Sequence, residues 1–257
     1  DSRVKVIIDS PEQITIHHGW TEMGQGVFTM AVQFLCEATG VNPDLVSVKV
    51  DTSQEVPCGM TTASRGTSLI GNSVLEAGKK IKADLDKYSL EELVGREYIG
   101  EWVCDWTDSI ESDSDDPKTH YSYSYATQVV TLDESGKIDN VFAAHDAGKI
   151  VNPILFEGQL EGSVHMGLGY ALSENFEMEG SHPVHKRLGK LGMIRASSTP
   201  NIKVIGIEEP DEHGPCGAKG VGEIGLVPTA SAVANAFFQY NGIRQYELPL
   251  KKMEDKS

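Results

Sequence analysis

The sequence has few cysteines, few basic residues and no long apolar run, and each shortage excludes a class of protein. Only 4 of its 257 residues are cysteines, and they form no CxxC pair, so no disulfide framework, zinc site or iron–sulfur ligand set is encoded. Its 22 basic residues face 38 acidic ones, a formal net charge of −16, which argues against nucleic acid as a partner. No stretch approaches the roughly 18 uncharged apolar residues of a membrane span.

The first residues lack a targeting signal. Residues 1–10 show no basic segment followed by an apolar one, so nothing points to secretion, and we expect a cytoplasmic protein with no membrane partner. The sequence opens directly in a strand-like run without an initiator methionine, which suggests a piece of a longer polypeptide. Because 39% of its residues are hydrophobic, such a piece can still bury a core.

The spacing of apolar residues predicts hairpins mixed with separate helices. β-Branched runs predict a hairpin from 3–8 and 13–16, and alternating residues predict another from 121–131 and 138–144. Helical spacing and helix-ending signals assign helices to 27–38, about 69–85, 153–172 and 228–242, with a further strand at 45–50. This mixture indicates an α+β fold. The acidic stretch 105–118 reads as a solvated loop, and the chain is expected to divide there into subdomains of about 1–118 and 119–257.

Two polar loops each lead into a predicted helix. The first contains Glu22–Gly26 (EMGQG) and the second contains Thr61–Ser64 (TTAS). Backbone N–H groups at a helix N-terminus attract an anion, and hydroxyl groups could surround a phosphate or a polar heterocycle. A single loop of either kind is more often a simple turn or helix cap, so both interpretations stay open on the residues alone.

Two further segments combine glycine with hydrogen-bonding side chains. The helix containing Glu157–Gly162 (EGQLEG) could pack closely on another element, or approach a flat ligand with Gln159 as a donor. In Gly217–Gly225 (GAKGVGEIG), one carboxylate, Glu223, stands among glycines and apolar residues. A poorly solvated glutamate suits a general base, and a glutamate in a flexible turn is the alternative. We expect Lys219, in the same segment, to be a solvated surface charge.

Together and in this order, these segments resemble the molybdenum hydroxylases, the xanthine dehydrogenase and aldehyde oxidase family, in their molybdopterin-binding part. The matching motifs are EMGQG, TTAS, DAGKIVNP with GQLEG at Asp146–Gly162, and GAKGVGEIG. The resemblance runs from about residue 13 to residue 249. One departure is Asn72, which stands where the family often has glutamine.

The resemblance implies a role for individual residues. The implied cofactor-binding set is Gly24, Gln25, Gly26, Thr62, Ala63, Ser64 and Gln159. Glu223 falls where the family places its catalytic base. No residue of this chain is implied as a metal ligand.

The resemblance also implies a reaction and a cofactor. The cofactor would be a molybdenum pyranopterin, alone or as a dinucleotide. The reaction would be oxidation of a small-molecule substrate, a purine-type heterocycle such as xanthine or hypoxanthine, with water as the oxygen source. An aldehyde-oxidising member of the family, a phosphate- or nucleotide-binding domain without redox activity, and a non-catalytic interaction domain are the alternatives.

In the family, other segments complete the active site, and none of their residues is in this sequence. The resemblance therefore implies that residues 1–257 are the C-terminal part of a molybdopterin-binding domain, inactive alone. We expect its partners to be the upstream part of that domain and the domains or subunits that carry iron–sulfur clusters and FAD. A homo-oligomer is expected for the complete enzyme.

Overall fold

The computed structural model describes residues 1–250, which form two compact units. The first unit comprises residues 1–123, 147–155 and 208–220, and the second comprises 124–146, 156–207 and 221–250. A division at about residue 118 would assign 147–155 and 208–220 to the second half. The structure instead includes both segments in the first unit, where they are joined by backbone hydrogen bonds such as Lys149 N–H to the Gly217 carbonyl, 2.9 Å.

The first unit is a four-stranded sheet covered by helices. Its elements are β1 (Ser2–Ser10), β2 (Gln13–His17), α1 (Val27–Thr39), β3 (Val46–Lys49), α2 (Gly66–Leu85), α3 (Leu90–Leu93) and β4 (Glu97–Trp102). The strand order is β3-β2-β1-β4, with β2 and β3 parallel and the other pairs antiparallel. Helix α2 packs on β1 and β4 and against α1.

The sequence pattern explains these elements. In β1, Val4, Val6 and Ile8 alternate with more exposed residues and are fully buried, as expected for a strand with one face on a core. Helix α1 ends at Gly40, whose φ of 76° is left-handed and whose N–H donates to the Cys36 carbonyl at 2.7 Å. The predicted first hairpin and the predicted glycine cap of α1 are therefore confirmed.

The second unit is built on a three-stranded sheet. Its elements are β5 (Ala126–Leu132), β6 (Ile138–Asp146), α4 (Pro153–Leu172), β7 (Met178–Glu179), β8 (His182–Pro183), β9 (Asn201–Ile207) and α5 (Thr229–Asn241). Strands β5 and β6 form the predicted hairpin, and β9 adds to β6 in parallel. The core residues include Val141, Val164, Leu168, Val233 and Phe237. Helix α5 packs on β5.

The α+β fold class is confirmed. Strand β5 begins at Ala126 rather than at Tyr121, because Tyr121 packs edge-on against Trp106 in the first unit, with ring centroids 5.6 Å apart. Residues 105–118 contain no helix or strand, as predicted. The Trp106 ring in this segment also packs on His213, with ring centroids 4.5 Å apart. Within residues 1–250, no helix combines the length and the apolar character that crossing a bilayer requires.

Candidate cofactor site

The EMGQG and TTAS loops are neighbours in the first unit. The Thr21 N–H, one residue before EMGQG, donates to Oγ1 of Thr61, the first residue of TTAS, at 3.3 Å. A second link runs from Cys58 Sγ to the Gly19 carbonyl at 2.9 Å. The loops lead into α1 and α2, which pack against each other. Two motifs that are distant in the sequence therefore form one surface.

The Glu22 side chain fills the N-terminal end of α1. Its Oε1 accepts hydrogen bonds from the N–H groups of Gly24 at 2.8 Å and Gly26 at 3.1 Å, and its Oε2 accepts one from Phe28 at 3.1 Å. Burial alone would raise the pKa of this carboxyl, but the backbone donors outweigh it and the pKa is lowered. The chain's own carboxylate thus takes the anion position that the sequence suggested for a phosphate. An acidic residue just before a helix was the available signal.

Gln25 and Gly24 have different surroundings. The Gln25 amide is folded into its own loop, since Nε2 donates to the Thr21 carbonyl at 2.8 Å and Oε1 accepts from the Met23 N–H at 2.6 Å. Gly24 has a φ of 100°, and a Cβ there would meet no described atom within 4 Å. A planar group could therefore lie directly against the Gly24 backbone.

Gly26 is packed rather than open. A Cβ on this residue would come within 2.6 Å of Leu155 Cδ1, and its φ is 84°. Gly26 is thus required for the packing of the first unit and for the turn into α1.

The TTAS loop has a strained backbone. Ala63 and Ser64 have φ values of 54° and 51°, a region that costs a non-glycine residue about 1–3 kcal/mol. The loop is held by Gly220, on which a Cβ would overlap the Ser64 carbonyl oxygen. It is held also by Arg65, whose Nε donates to the Met60 carbonyl at 2.9 Å. Thr62 and Ala63 are exposed. Strain that is fixed by its surroundings and faces outward is typical of a ligand-binding segment.

Segments of the third and fourth motifs support this surface. Ala218 forms an isolated β-bridge with Gly148, and the Lys219 N–H donates to the Ala147 carbonyl at 2.9 Å. The prediction of a solvated Lys219 is wrong. The residue is only 8% exposed, and its Nζ donates to the Tyr123 carbonyl at 2.9 Å.

Two buried side chains lie close to the loops. Asn72 is on α2, and its Nδ2 donates to the His213 carbonyl at 2.8 Å, which attaches the segment 208–220 to that helix. His18 is fully buried and contacts Phe28 edge-on, with ring centroids 5.2 Å apart. Burial lowers the pKa of His18 to about 4, so its imidazole is neutral at pH 7. No pattern in the sequence pointed to His18 beyond its place before the loop.

Gln159 and Glu223 belong to the second unit, and there they lie on adjoining elements. A Cβ on Gly225 would overlap Ser163 Oγ on α4, and that hydroxyl donates to the Gln159 carbonyl at 2.8 Å. Gln159 is half-buried. Glu223 is exposed in this chain, so the residues described here do not supply the poorly solvated surroundings that one of the two sequence interpretations requires. A Cβ on Gly158 or Gly162 would meet no described atom within 4 Å, so close packing at these glycines is not seen in residues 1–250.

The first-unit surface fits a polar, phosphate-bearing heterocycle such as a pyranopterin. Gly24 offers open backbone, and the TTAS loop offers hydroxyl groups beside a strained, exposed main chain. Across residues 1–250, no group of three or more His, Cys, Asp or Glu side chains is placed to hold a metal ion.

Comparison with known proteins gives the same assignment. Residues 1–200 match the family model described as "Molybdopterin cofactor-binding domain". The chain is 25% identical to a probable xanthine dehydrogenase subunit of Bacillus subtilis, covering 97% of this chain and 38% of that protein. It is 24% identical to the carbon monoxide dehydrogenase large chain of Hydrogenophaga pseudoflava, covering 90% of this chain and 34% of that one.

A solved structure extends the likeness to three dimensions. The aldehyde oxidoreductase from Desulfovibrio gigas superposes with a TM-score of 0.85 at 26% identity, over 96% of this chain and 29% of that one. This chain therefore spans about a third of the length of these relatives. Since the family model matches well over half of its residues, the chain belongs to the molybdopterin cofactor-binding domain family of the molybdenum hydroxylases.

Proposed function

We propose that this chain is the C-terminal part of the molybdopterin-binding subunit of a molybdenum hydroxylase. The observation that carries the proposal is the joined surface of the EMGQG and TTAS loops, with open backbone at Gly24 and strain at Ala63 and Ser64. When bound, the molybdenum pyranopterin, alone or as a dinucleotide, supplies the two-electron oxidation of the substrate. In this assignment the backbone of Gly24–Gly26, the TTAS loop and Gln159 hold that group.

Glu223 acts as the general base. Its carboxylate accepts a proton from the water-derived nucleophile, and such assistance accelerates reactions by about 10²- to 10⁴-fold. The fixed loop that carries Glu223 against α4 supports this role. An exposed carboxylate gains basicity when further protein segments exclude water around it, so the role requires the rest of the subunit.

The substrate proposed is a purine-type heterocycle. A relative named as a xanthine dehydrogenase subunit aligns with 97% of this chain, and this alignment supports the choice. An aldehyde is the second candidate, because the superposition with an aldehyde oxidoreductase reaches a TM-score of 0.85. Molybdenum reduction, followed by absorbance after anaerobic mixing of the complete enzyme with xanthine or with an aldehyde, decides between the two.

The proposed partners are the upstream part of the same subunit and the subunits or domains carrying iron–sulfur clusters and FAD, in a cytoplasmic homo-oligomer. Helix α4 supports the first of these. Its exposed residues include Gly158, Gly162, Met166 and Tyr170, with Met166 57% and Tyr170 54% exposed. A helix that is apolar on several sides is typical of a buried element, so we assign this face to the upstream part.

The decisive experiment replaces the proposed base. In the complete enzyme, Glu223→Gln should lower turnover by at least about 10²-fold, while molybdenum per chain, measured by elemental mass spectrometry, stays at the wild-type level. Glu134→Gln, at an exposed glutamate, is the matched control. Near-normal turnover of Glu223→Gln would contradict the assigned role.

The family assignment of the cofactor has its own test. Molybdenum per chain is measured for this polypeptide expressed alone and with the upstream part of its subunit. Metal that is present only in the second sample supports a cofactor site completed by both parts. Absence of metal from both folded samples, produced in a host that makes the cofactor, would contradict the proposal and favour a nucleotide-binding domain.

A further inference from the structure

A polar network inside the second unit holds the loop that carries Glu223. Gln128 on β5 donates from Nε2 to the Gly225 carbonyl at 2.7 Å. Thr229, the first residue of α5, donates from Oγ1 to Gln128 Oε1 at 2.9 Å and lies 3.2 Å from the Gly225 carbonyl. One glutamine thus connects a strand and a helix to a carbonyl that stands two residues after Glu223.

The strand register adds a histidine to this network. Gln128 lies opposite Ala143 across the β5–β6 hairpin, so His145 is its diagonal neighbour on the same face. Gln128 Nε2 and His145 Nε2 are 3.1 Å apart. The two hydrogens of the amide nitrogen are therefore directed at the Gly225 carbonyl and at His145 Nε2, which makes His145 Nε2 an acceptor.

His145 is suited to remain an acceptor. Its side chain is fully buried, and burial lowers its pKa, which favours the neutral imidazole. In the tautomer that lets Nε2 accept, the proton is on Nδ1, which is buried and has no hydrogen-bond partner among the described residues. A protonated ring would direct an N–H at the amide donor of Gln128 and would weaken the network. The Gly225 carbonyl, which can only accept, and the Thr229 hydroxyl fix which way the Gln128 amide faces, and the neutral ring can then accept its second hydrogen.

Packing against α4 fixes the other side of the loop that carries Glu223. Gly225 is buried, and Ser163 Oγ on α4 occupies the place of a side chain on this residue. The Gly225 carbonyl accepts from Gln128 at the same time. The backbone near Glu223 is thus clamped between α4 and β5, while the Glu223 side chain remains exposed.

We propose that Gln128, hydrogen-bonded to His145 and Thr229, is a positioning residue for Glu223. It fixes the backbone that aims this carboxylate and does not itself contact the reacting atoms. The inference rests on the proposed function, which gives Glu223 the role of base. A base displaced by even a small distance loses rate while substrate binding is retained, so the expected signature is a fall in kcat with little change in KM.

The test uses Gln128→Leu in the complete enzyme. Loss of the donor leaves the buried Gly225 carbonyl with one partner fewer, and we expect amide hydrogen exchange in peptide 221–229 to become about tenfold faster. Turnover should fall about tenfold, with KM within about twofold and molybdenum content unchanged. Gln13→Leu is the matched control, because Gln13 is also a half-buried strand glutamine that bonds two acceptors, Ile14 O and Ser47 Oγ.

A milder variant covers the case in which Gln128→Leu does not fold. Thr229→Val keeps the side-chain shape and removes only the hydroxyl that holds the Gln128 amide. We expect amide hydrogen exchange in peptide 221–229 to become about threefold faster and kcat to fall about threefold. Wild-type exchange and kcat in this variant and in Gln128→Leu would overturn the inference.

Different experimental results would contradict this inference and the proposed function. If Glu223→Gln loses turnover while Gln128→Leu matches Gln13→Leu in exchange and kcat, only the positioning role is wrong. If Glu223→Gln keeps turnover, the proposed role of Glu223 is wrong, and with it the catalytic purpose of the positioning. Faster exchange in peptide 221–229 with an unchanged kcat also overturns the inference.

Discussion

Ser163 occupies with its hydroxyl the space that a side chain on Gly225 would need. The same hydroxyl donates to the carbonyl oxygens of Gln159 and Leu160, at 2.8 and 3.1 Å, so it cannot turn away without losing hydrogen bonds within α4. The loop that carries Glu223 therefore packs directly against the turn of α4 that carries Gln159. Any side chain at position 225 must displace one of them.

Replacement of Gly225 should therefore destabilise the second unit. We expect Gly225→Ala to lower the free energy of unfolding by about 1–3 kcal/mol, because a methyl group in a filled space forces the backbone to shift. Urea denaturation followed by circular dichroism measures the change. Gly158→Ala is the control, since its Cβ meets no described atom and alanine favours a helix by about 0.5–1 kcal/mol. Equal stabilities of the two variants would contradict the packing described.

A comparison of alanine variants at Gly24 and Gly40 separates the effect of backbone strain from the effect on cofactor binding. Both have left-handed φ values, 100° and 76°, and neither has a described atom within 4 Å of a Cβ. Gly24→Ala and Gly40→Ala should each lose about 1 kcal/mol of stability. In the complete enzyme, the proposed cofactor site predicts that only Gly24→Ala also loses molybdenum, because its methyl group would stand between the backbone and the proposed position of the cofactor.

Elemental analysis of the purified enzymes measures that difference. A molybdenum content at the wild-type level in both variants would remove Gly24 from the proposed cofactor site. A loss in both would indicate that metal retention reports general stability rather than contact.

The hydrogen bonds of Glu22 predict a pH dependence of stability. The pKa of this carboxyl is lowered in the folded chain by its backbone donors, so its contribution is complete above the ordinary glutamate pKa of 4.5 and disappears as the pH falls through the lower folded value. At pH 7, Glu22→Gln should cost about 1 kcal/mol, the usual contribution of an N-terminal cap. At pH values below the folded pKa, the variant and the wild type should converge.

Urea unfolding at several pH values tests this expectation. Glu12→Gln, in the turn between β1 and β2, should behave as the wild type throughout, because its side chain is exposed and lies away from any helix end. A difference between Glu22→Gln and the wild type that persists unchanged at low pH would show that charge is not the origin of the effect.

Local elements of this fold could be predicted because their residues are close in the sequence. The bounds of α4 coincide with the predicted 153–172, and α1 differs from its prediction only at its final residue, Thr39. The parallel pairing of β6 with β9, and the joining of 147–155 to 208–220, could not be predicted, since periodicity carries no information on contacts between distant segments.

The candidate site, like the fold, could be predicted from the sequence only in part. Motif order indicated the EMGQG and TTAS loops, whereas their direct link through Thr21 and Thr61 depends on tertiary structure. Burial of Lys219 could not be foreseen, because a lysine in a glycine-rich segment is usually solvated. Gln128 was missed for a related reason. Its partners lie on β6, α5 and a distant loop, and no local pattern distinguishes it from an ordinary strand residue.

The carboxylate of Glu22 has a consequence for ligand binding. The N–H groups of Gly24, Gly26 and Phe28 already have an acceptor within their own chain. A ligand that arrives at this loop therefore does not spend binding free energy on ordering it. Under the proposed function, the cofactor would meet a loop whose shape is set by the chain's own hydrogen bonds and not by the cofactor.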